Sequence, residues 1–200
     1  MASEDPKTAR CSHRQRVRYL AGASGTGTST RAAHLQREFA AELGAPPTLV
    51  VSTDVVRAQL RAVLDREAHT DLWGESFNLE GRPGDRLREG VNIDAFLRQC
   101  APILRAVEAG VGYGLTEGWD VIVEGVHLVP GEFSIAQGER LDVGVELLVV
   151  EDIGEHAARF RARDAASGGR RPAEPYVLNL PRIHAVQAEL VERWHASGLD

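Results

Sequence analysis

The sequence has almost no lysine. Its 23 basic residues comprise Lys7 and otherwise only arginine. Chemistry that needs a positive charge must therefore use arginine, a metal ion or backbone dipoles. Cysteine is nearly absent too, with Cys11 and Cys100 the only two. Cys11 falls in a polar leading segment, so a structural disulfide is not expected and a reducing, cytoplasmic setting fits. No run of eighteen apolar residues occurs, which argues against a membrane-spanning helix. The leading "MASEDPKTARCSHRQR" lacks the apolar stretch of a secretory signal, and residues 1–15 are expected to form a disordered tail. A basic excess is also missing: the net charge of -6 argues against nucleic acid as the main partner. What remains, 43% hydrophobic and 26% charged residues in 200, is ordinary for one globular domain, expected over 16–200.

Glycine, by contrast, is concentrated where it matters. Gly22 to Ser29 reads G-A-S-G-T-G-T-S, a phosphate-loop pattern with Thr28 where lysine belongs. Gly22, Ala23, Ser24, Gly25, Thr26, Gly27, Thr28, Ser29 and Thr30 are the expected nucleotide-phosphate contacts. Glycines let successive N–H groups turn inward, and the following helix adds its positive end. Ser29 stands at the magnesium-ligating position. A dinucleotide fold fits less well, because no third glycine arrives at Thr30.

The element order supports this. "RVRYLA" reads as a strand, 29–43 as a helix stopped by Gly44, and "PTLVVS" as a buried strand. Thr53 or Asp54 can cap a helix running to about Arg66. Residues 67–91 show no period and are expected to be irregular, functional or mobile. A long helix from about Ile93 carries Pro102 as a potential kink. "WDVIVEG" and "VELLVV" read as strands, and two further helices flank the loop "SGGRRPAEPY". Alternating strands and helices imply an α/β fold of three layers with a mostly parallel sheet, binding ligands at the carboxyl ends of its strands.

Three such ends carry chemistry. Asp54 is placed to hold or deprotonate an acceptor hydroxyl, with helix capping as its plainer role. Arg57, one turn on, can reach an anionic acceptor or simply face solvent. Glu124 ends an apolar strand, where a carboxylate is costly unless paired or metal-linked, so Ser29 and Glu124 form the candidate metal site. His127 follows in the same loop as a candidate substrate contact or a structural histidine. Around 155–178, Arg159, Arg161, Arg163, Arg170 and Arg171 suggest a lid that neutralises a transferring phosphoryl group, with Arg159, Arg163 and Arg170 as catalytic candidates. A solvated amphipathic helix is the plainer reading.

"GASGTGTST", "STDVVRAQLR", "EGVHLVPG" and "RFRARDAASGGRRPAEPY" together resemble the 2-phosphoglycerate kinases, a family of P-loop kinases, from about Val17 to Trp194. The resemblance implies a P-loop kinase-like fold and ATP- and Mg2+-dependent phosphorylation of 2-phosphoglycerate. It also implies that threonine at position 28 is a family trait. Asp54 and Arg57 would face the acceptor, and Glu124 would act near metal or acceptor. The family has a further strand after its last helix, so this sheet is expected to lack one edge strand. Residues 67–90 depart from the family pattern, which keeps open a kinase of another small hydroxyl compound, such as a sugar, nucleoside or specialised metabolite. A nucleotide-binding protein without turnover is the third reading. A homodimer is compatible with all three.

Overall fold

The computed structural model describes residues 14–199. The expectation of a tail concerns residues outside that range up to 13; Gln15 already belongs to the first strand. The elements run β1 (Gln15–Gly22), α1 (Thr28–Ala40), β2 (Thr48–Ser52), α2 (Thr53–Val63), β3 (Leu87–Arg88), β4 (Val91–Asn92), α3 (Ile93–Thr116), β5 (Asp120–Gly125), β6 (Leu141–Leu148), α4 (Ile153–Ser167), α5 (Glu174–Leu178) and α6 (Leu180–Ser197). Four parallel strands form a sheet in the order β2-β5-β1-β6, and β3 and β4 pair as a short antiparallel hairpin. This is a three-layer α/β arrangement with a parallel sheet, as the sequence led us to expect. No helix among the described residues is long and apolar enough to cross a membrane.

Strand alternation decides which side chains reach which layer. On β1, Val17, Tyr19 and Ala21 join Val121 and Val123 of β5 in the larger core with α3 and α6. The intervening Leu20 and Ile122 pack under Leu35 and Phe39 of α1. At the lower end of that second face Arg16 grips Asp120 through Nε at 2.9 Å and Nη2 at 2.6 Å, with Phe39 stacked 3.9 Å from the guanidinium carbon. At its upper end stands Glu124. The period of two that buries Ile122 therefore aims Glu124 at the start of α1. Burying each such Leu, Ile or Phe contributes about 1.5–3 kcal/mol, so the sheet fixes this direction firmly.

Several expectations shift. The strand containing Val50 and the one containing Val145 are the sheet's two edges and are half-exposed rather than buried. The first helix ends at Ala40, leaving Leu43 fully exposed in the turn before Gly44, because no neighbouring element covers that turn. Ser52, not Thr53 or Asp54, occupies the cap position of α2, and it makes no side-chain capping bond. Pro102 does not split α3, which runs as one helix and is capped where Asn92 accepts a bond from the Ala95 N–H at 2.8 Å.

Residues 67–91 contain a turn of 3-10 helix (Thr70–Trp73) and the β3–β4 hairpin. Arg98 of α3 ties this stretch down, reaching Asp71 at 3.0 Å and Asp85 at 2.8 Å. These contacts hold the Asp85 carboxyl well below the usual carboxylate range, the Arg98 hydrogen bonds first among the causes. Buried Glu189 of α6 receives Arg86 and Arg88 from the hairpin, as well as Arg193. Burial alone would raise its pKa, but the hydrogen bonds from Arg86 and Arg193 bring it below normal.

Candidate functional site

The Gly-rich loop links β1 to α1 at the carboxyl end of the sheet. Gly25 and Gly27 take φ of +87° and +105°, a region that side-chain-bearing residues avoid. A Cβ on Gly25 would lie 2.5 Å from Cζ of Phe160, and one on Gly22 would lie 2.3 Å from the Thr26 hydroxyl oxygen. Gly27 caps α1, whose first turn has no acidic residue. The loop thus presents backbone N–H groups and an uncompensated helix start, a ready anion cradle.

Thr28 and Ser29 both point their hydroxyls at one oxygen. They donate to Glu124 Oε2, Thr28 at 2.7 Å and Ser29 at 3.0 Å. The residue in the lysine position is therefore part of a hydroxyl–carboxylate cluster that contains no cation. Glu124 is 5% exposed, and these two bonds are what its burial requires.

Positive charge arrives from across the loop, on α4. Its cap is Asp152, which accepts from the Glu155 N–H. Arg159 gives Nη1 to the Thr26 carbonyl at 2.8 Å and its other donors to Glu155. His156, one turn earlier, gives Nε2–H to the Ser24 carbonyl at 2.8 Å. With that tautomer fixed, its Nδ1 accepts from His184 Nε2, 3.1 Å away. Burial holds the His156 imidazole below its usual pKa. The two carbonyls flanking Gly25 are thus both held by one helix.

Arg163 lies over Phe160 and Tyr176, 4.9 and 4.4 Å from their ring centroids. Its Nε and Nη2 are buried and donate to nothing. Arg170 turns away, bonding its own lid turn at the Ser167 carbonyl, so it does not join the cleft. Arg171 lines the cleft in its place: the chain turns at Gly168 and Gly169, both at positive φ, which exchanges the two positions. The cleft has a volume of about 820 Å³ and is bounded by the loop, Arg31 and His34 of α1, and Arg159, Phe160, Arg163 and Arg171.

On the far side, Asp54 is exposed in the first turn of α2, 3.9 Å from Arg57. Arg57 is seated by the Gly74 carbonyl at 2.9 Å. His127 corrects its expectation as a substrate contact. It is fully buried, with Thr53 at 3.0 Å from Nδ1 and Gln99 at 3.2 Å from Nε2. The Gln99 amide nitrogen is committed to the Asp71 and Gly74 carbonyls. Its oxygen must then accept from His127 Nε2–H, and Nδ1 accepts from the Thr53 hydroxyl. Burial first, then Arg57 and Arg61, push the His127 pKa down to about 3, keeping the ring neutral. The result is a buried polar chain from Thr53 to the turn that seats Arg57.

The string "EGVH" now has a physical reading. Glu124 holds the loop hydroxyls. Gly125, at φ +135°, leaves room for Thr53, whose hydroxyl oxygen would lie 2.0 Å from any Cβ there. His127 starts the polar chain. Gln99, His156 and Arg61 were not singled out from sequence, and Thr53 only as a helix cap. The polar partners of His156 and Gln99 are more than twenty residues away, so neither carries a local signal, whereas His156 does at least sit one helical turn before Arg159.

No protein-family profile matches the chain. It is 36% identical over 173 residues to the 2-phosphoglycerate kinase of Methanopyrus kandleri, covering 86% of this chain and 51% of that protein. The 2-phosphoglycerate kinases of Methanocaldococcus jannaschii and Thermococcus kodakarensis are 32% and 30% identical, each over 90% of this chain and over 55% and 58% of their own lengths. The chain spans about half the length of the curated relatives it matches. Among solved structures, a chain of the Pnkp1/Rnl/Hen1 RNA repair complex aligns over 98% of this chain and 50% of its own, with 17% identity and a TM-score of 0.49.

Proposed function

Because this chain is related to the 2-phosphoglycerate kinases over most of its length and about half of theirs, we propose that it is an ATP- and magnesium-dependent phosphotransferase. Its acceptor would be a hydroxyl on a small anionic metabolite, with 2-phosphoglycerate the foremost candidate. The observation that carries this is the convergence of Thr28 and Ser29 on Glu124 beneath the glycine loop, with the arginines of α4 facing them.

In this reading the loop amides and the start of α1 bind the β- and γ-phosphates, and Ser24 and Thr26 are held out of the way by His156 and Arg159. Ser29 and Glu124 offer hard oxygen donors one hydrogen bond apart, at 3.0 Å, the kind of donor magnesium takes alongside phosphates and water. Among the described residues no group of three His, Cys, Asp or Glu side chains forms a ready metal cage. That suits an ion bound by one carboxylate together with its substrate. Bound there, magnesium would neutralise phosphate charge. Asp54 accepts the acceptor's proton as the hydroxyl oxygen bonds to the γ-phosphorus and the bond to the bridging oxygen of ADP breaks. Arg163, which lines the cleft, meets charge growing on the transferring group. Arginine thereby takes the part that Thr28 cannot.

The test is ADP release with ATP and magnesium, with and without 2-phosphoglycerate, beside a panel of sugars and hydroxy acids. Stimulation by 2-phosphoglycerate is the expected result. A response only to another acceptor moves the substrate. ATP binding by calorimetry without turnover on any acceptor overturns the kinase reading in favour of a nucleotide-binding protein.

A further inference from the structure

Arg61 lies one turn beyond Arg57 on the same face of α2. Its Nε–H donates to the Leu72 carbonyl, while its Nη2 is buried and donates to nothing. Arg57 is held in a parallel way by the Gly74 carbonyl. Its Nη2 remains 3.7 Å from Glu75 and 3.9 Å from Asp54, beyond hydrogen-bond reach. Those two carboxylates are largely exposed, with side chains 53% and 67% accessible, whereas the Arg57 side chain is 11% accessible. Beneath the pair lies the neutral Thr53–His127–Gln99 chain, which supplies no negative charge.

Two guanidinium groups therefore lie on one face of α2, Arg57 paired only loosely with two exposed carboxylates and Arg61 with a buried donor that has no hydrogen-bond partner. A purely structural tie to the 72–74 turn needs one donor from each residue, which a neutral amide could give. The planar fork of arginine is needed when two oxygens of one anion are to be met. A buried N–H donor without a partner is costly, so the arrangement around Arg61 Nη2 is best understood as incomplete. Desolvation first, then repulsion by Arg57, hold the Arg61 pKa below the usual arginine value, against the weaker pull of Glu75 and Asp54.

We propose that Arg57 and Arg61 form an oxyanion subsite that takes the phosphoryl group already present on the acceptor, beside Asp54. The identity of that ligand as the acceptor rests on the kinase reading; the subsite's affinity for a tetrahedral oxyanion does not. Asp54, in the first turn of α2 and 3.9 Å from Arg57, would then meet a free hydroxyl of the same small molecule.

The experiment titrates the full chain with inorganic phosphate, and separately with 2-phosphoglycerate, by calorimetry and thermal shift, comparing the wild type with Arg61→Gln and Arg61→Lys. We expect Arg61→Gln to weaken oxyanion binding about tenfold or more, the scale of a lost charge-assisted bond, and to raise the acceptor KM similarly while the KM for ATP moves little. Arg61→Lys keeps the charge but not the fork and should fall between. In anion-free buffer Arg61→Gln should melt no lower than wild type, since a like-charge contact is removed. Should Arg61→Gln fail to fold, Arg61→Lys carries the comparison. Oxyanion binding by the glycine loop is insensitive to Arg61, so equal affinity in all three proteins overturns the subsite. Turnover of 2-phosphoglycerate with a KM independent of Arg61 leaves the kinase reading standing and removes the subsite. Arg61-dependent phosphate binding without turnover on any acceptor does the reverse.

Discussion

The glycine loop and the 67–92 stretch are shaped by different forces. The loop's path follows from residues inside it: glycines at positive φ, a helix beginning at Thr28, and two carbonyls anchored by α4. The 67–92 stretch has its own glycines at positive φ, Gly84 and Gly90, but it is also tied to residues far away in sequence. Its path follows from Arg98 gripping Asp71 and Asp85, from Gln99 holding the Asp71 and Gly74 carbonyls, and from the pairing of Arg86 and Arg88 with Glu189, about a hundred residues away. Local determinants tolerate little change at one residue. Distributed pairs share the load, so a single loss there is felt as stability more than as shape.

The largest expected effect tests the local half. Gly25→Val combines a left-handed backbone, costing about 1–3 kcal/mol, with overpacking against Phe160 of similar size. It should abolish binding of an ATP analogue in calorimetry and lower the melting temperature sharply. Gly84→Val is the control in the other half, since Gly84 shares a φ of +90° but has nothing within 4 Å of its would-be Cβ. It should lose only the strain energy and bind nucleotide normally. Equal damage from both would mean that backbone strain, not crowding at the loop, decides the outcome.

A middle effect probes the distributed half. Gln99→Leu leaves His127 Nε2–H and the Asp71 carbonyl without the partners they have now. At about 1–3 kcal/mol for each orphaned buried group, urea denaturation should show a loss of around 3 kcal/mol with nucleotide affinity retained. A loss below about 1 kcal/mol would show that the polar chain is readily replaced by water.

The last test is a slope per pH unit, comparing the buried polar chain with the 67–92 stretch. His127 stays neutral in the folded protein down to about 3, whereas an unfolded chain protonates it in the ordinary imidazole range. The unfolded state then binds the extra proton, so stability should fall on acidification through that window by at most about 1.4 kcal/mol per pH unit. His127→Gln should flatten that slope in chemical denaturation. The Asp85–Arg98 pair acts in a lower window: its contribution is present above the ordinary aspartate pKa and is lost as pH falls below it. An unchanged slope in His127→Gln would assign the acid sensitivity to other groups.

What could be read in the sequence follows the same division. The loop, the strand–helix alternation and the aim of Glu124 were legible because each depends on spacing within a few residues. Which strands form the edges was not, since the strand order places β5 between β1 and β2, a matter of long-range packing. His127 looked like a loop histidine because its burial comes from α2 and α3. Arg170 and Arg171 are interchangeable in a pattern, and only the turn at Gly168 and Gly169 chooses between them. Arg61 carried no signal at all beyond lying four residues after Arg57.

Thr28 has a consequence for chemical labelling. Reagents that mimic ATP with an activated acyl phosphate mark kinases by handing the acyl group to the amine beside the phosphates. Among the described residues there is no lysine, and the cleft offers only hydroxyls, guanidinium groups and an imidazole. This protein should escape such probes while still binding the parent nucleotide. Its nucleotide site would also be beyond the reach of lysine acetylation as a means of control.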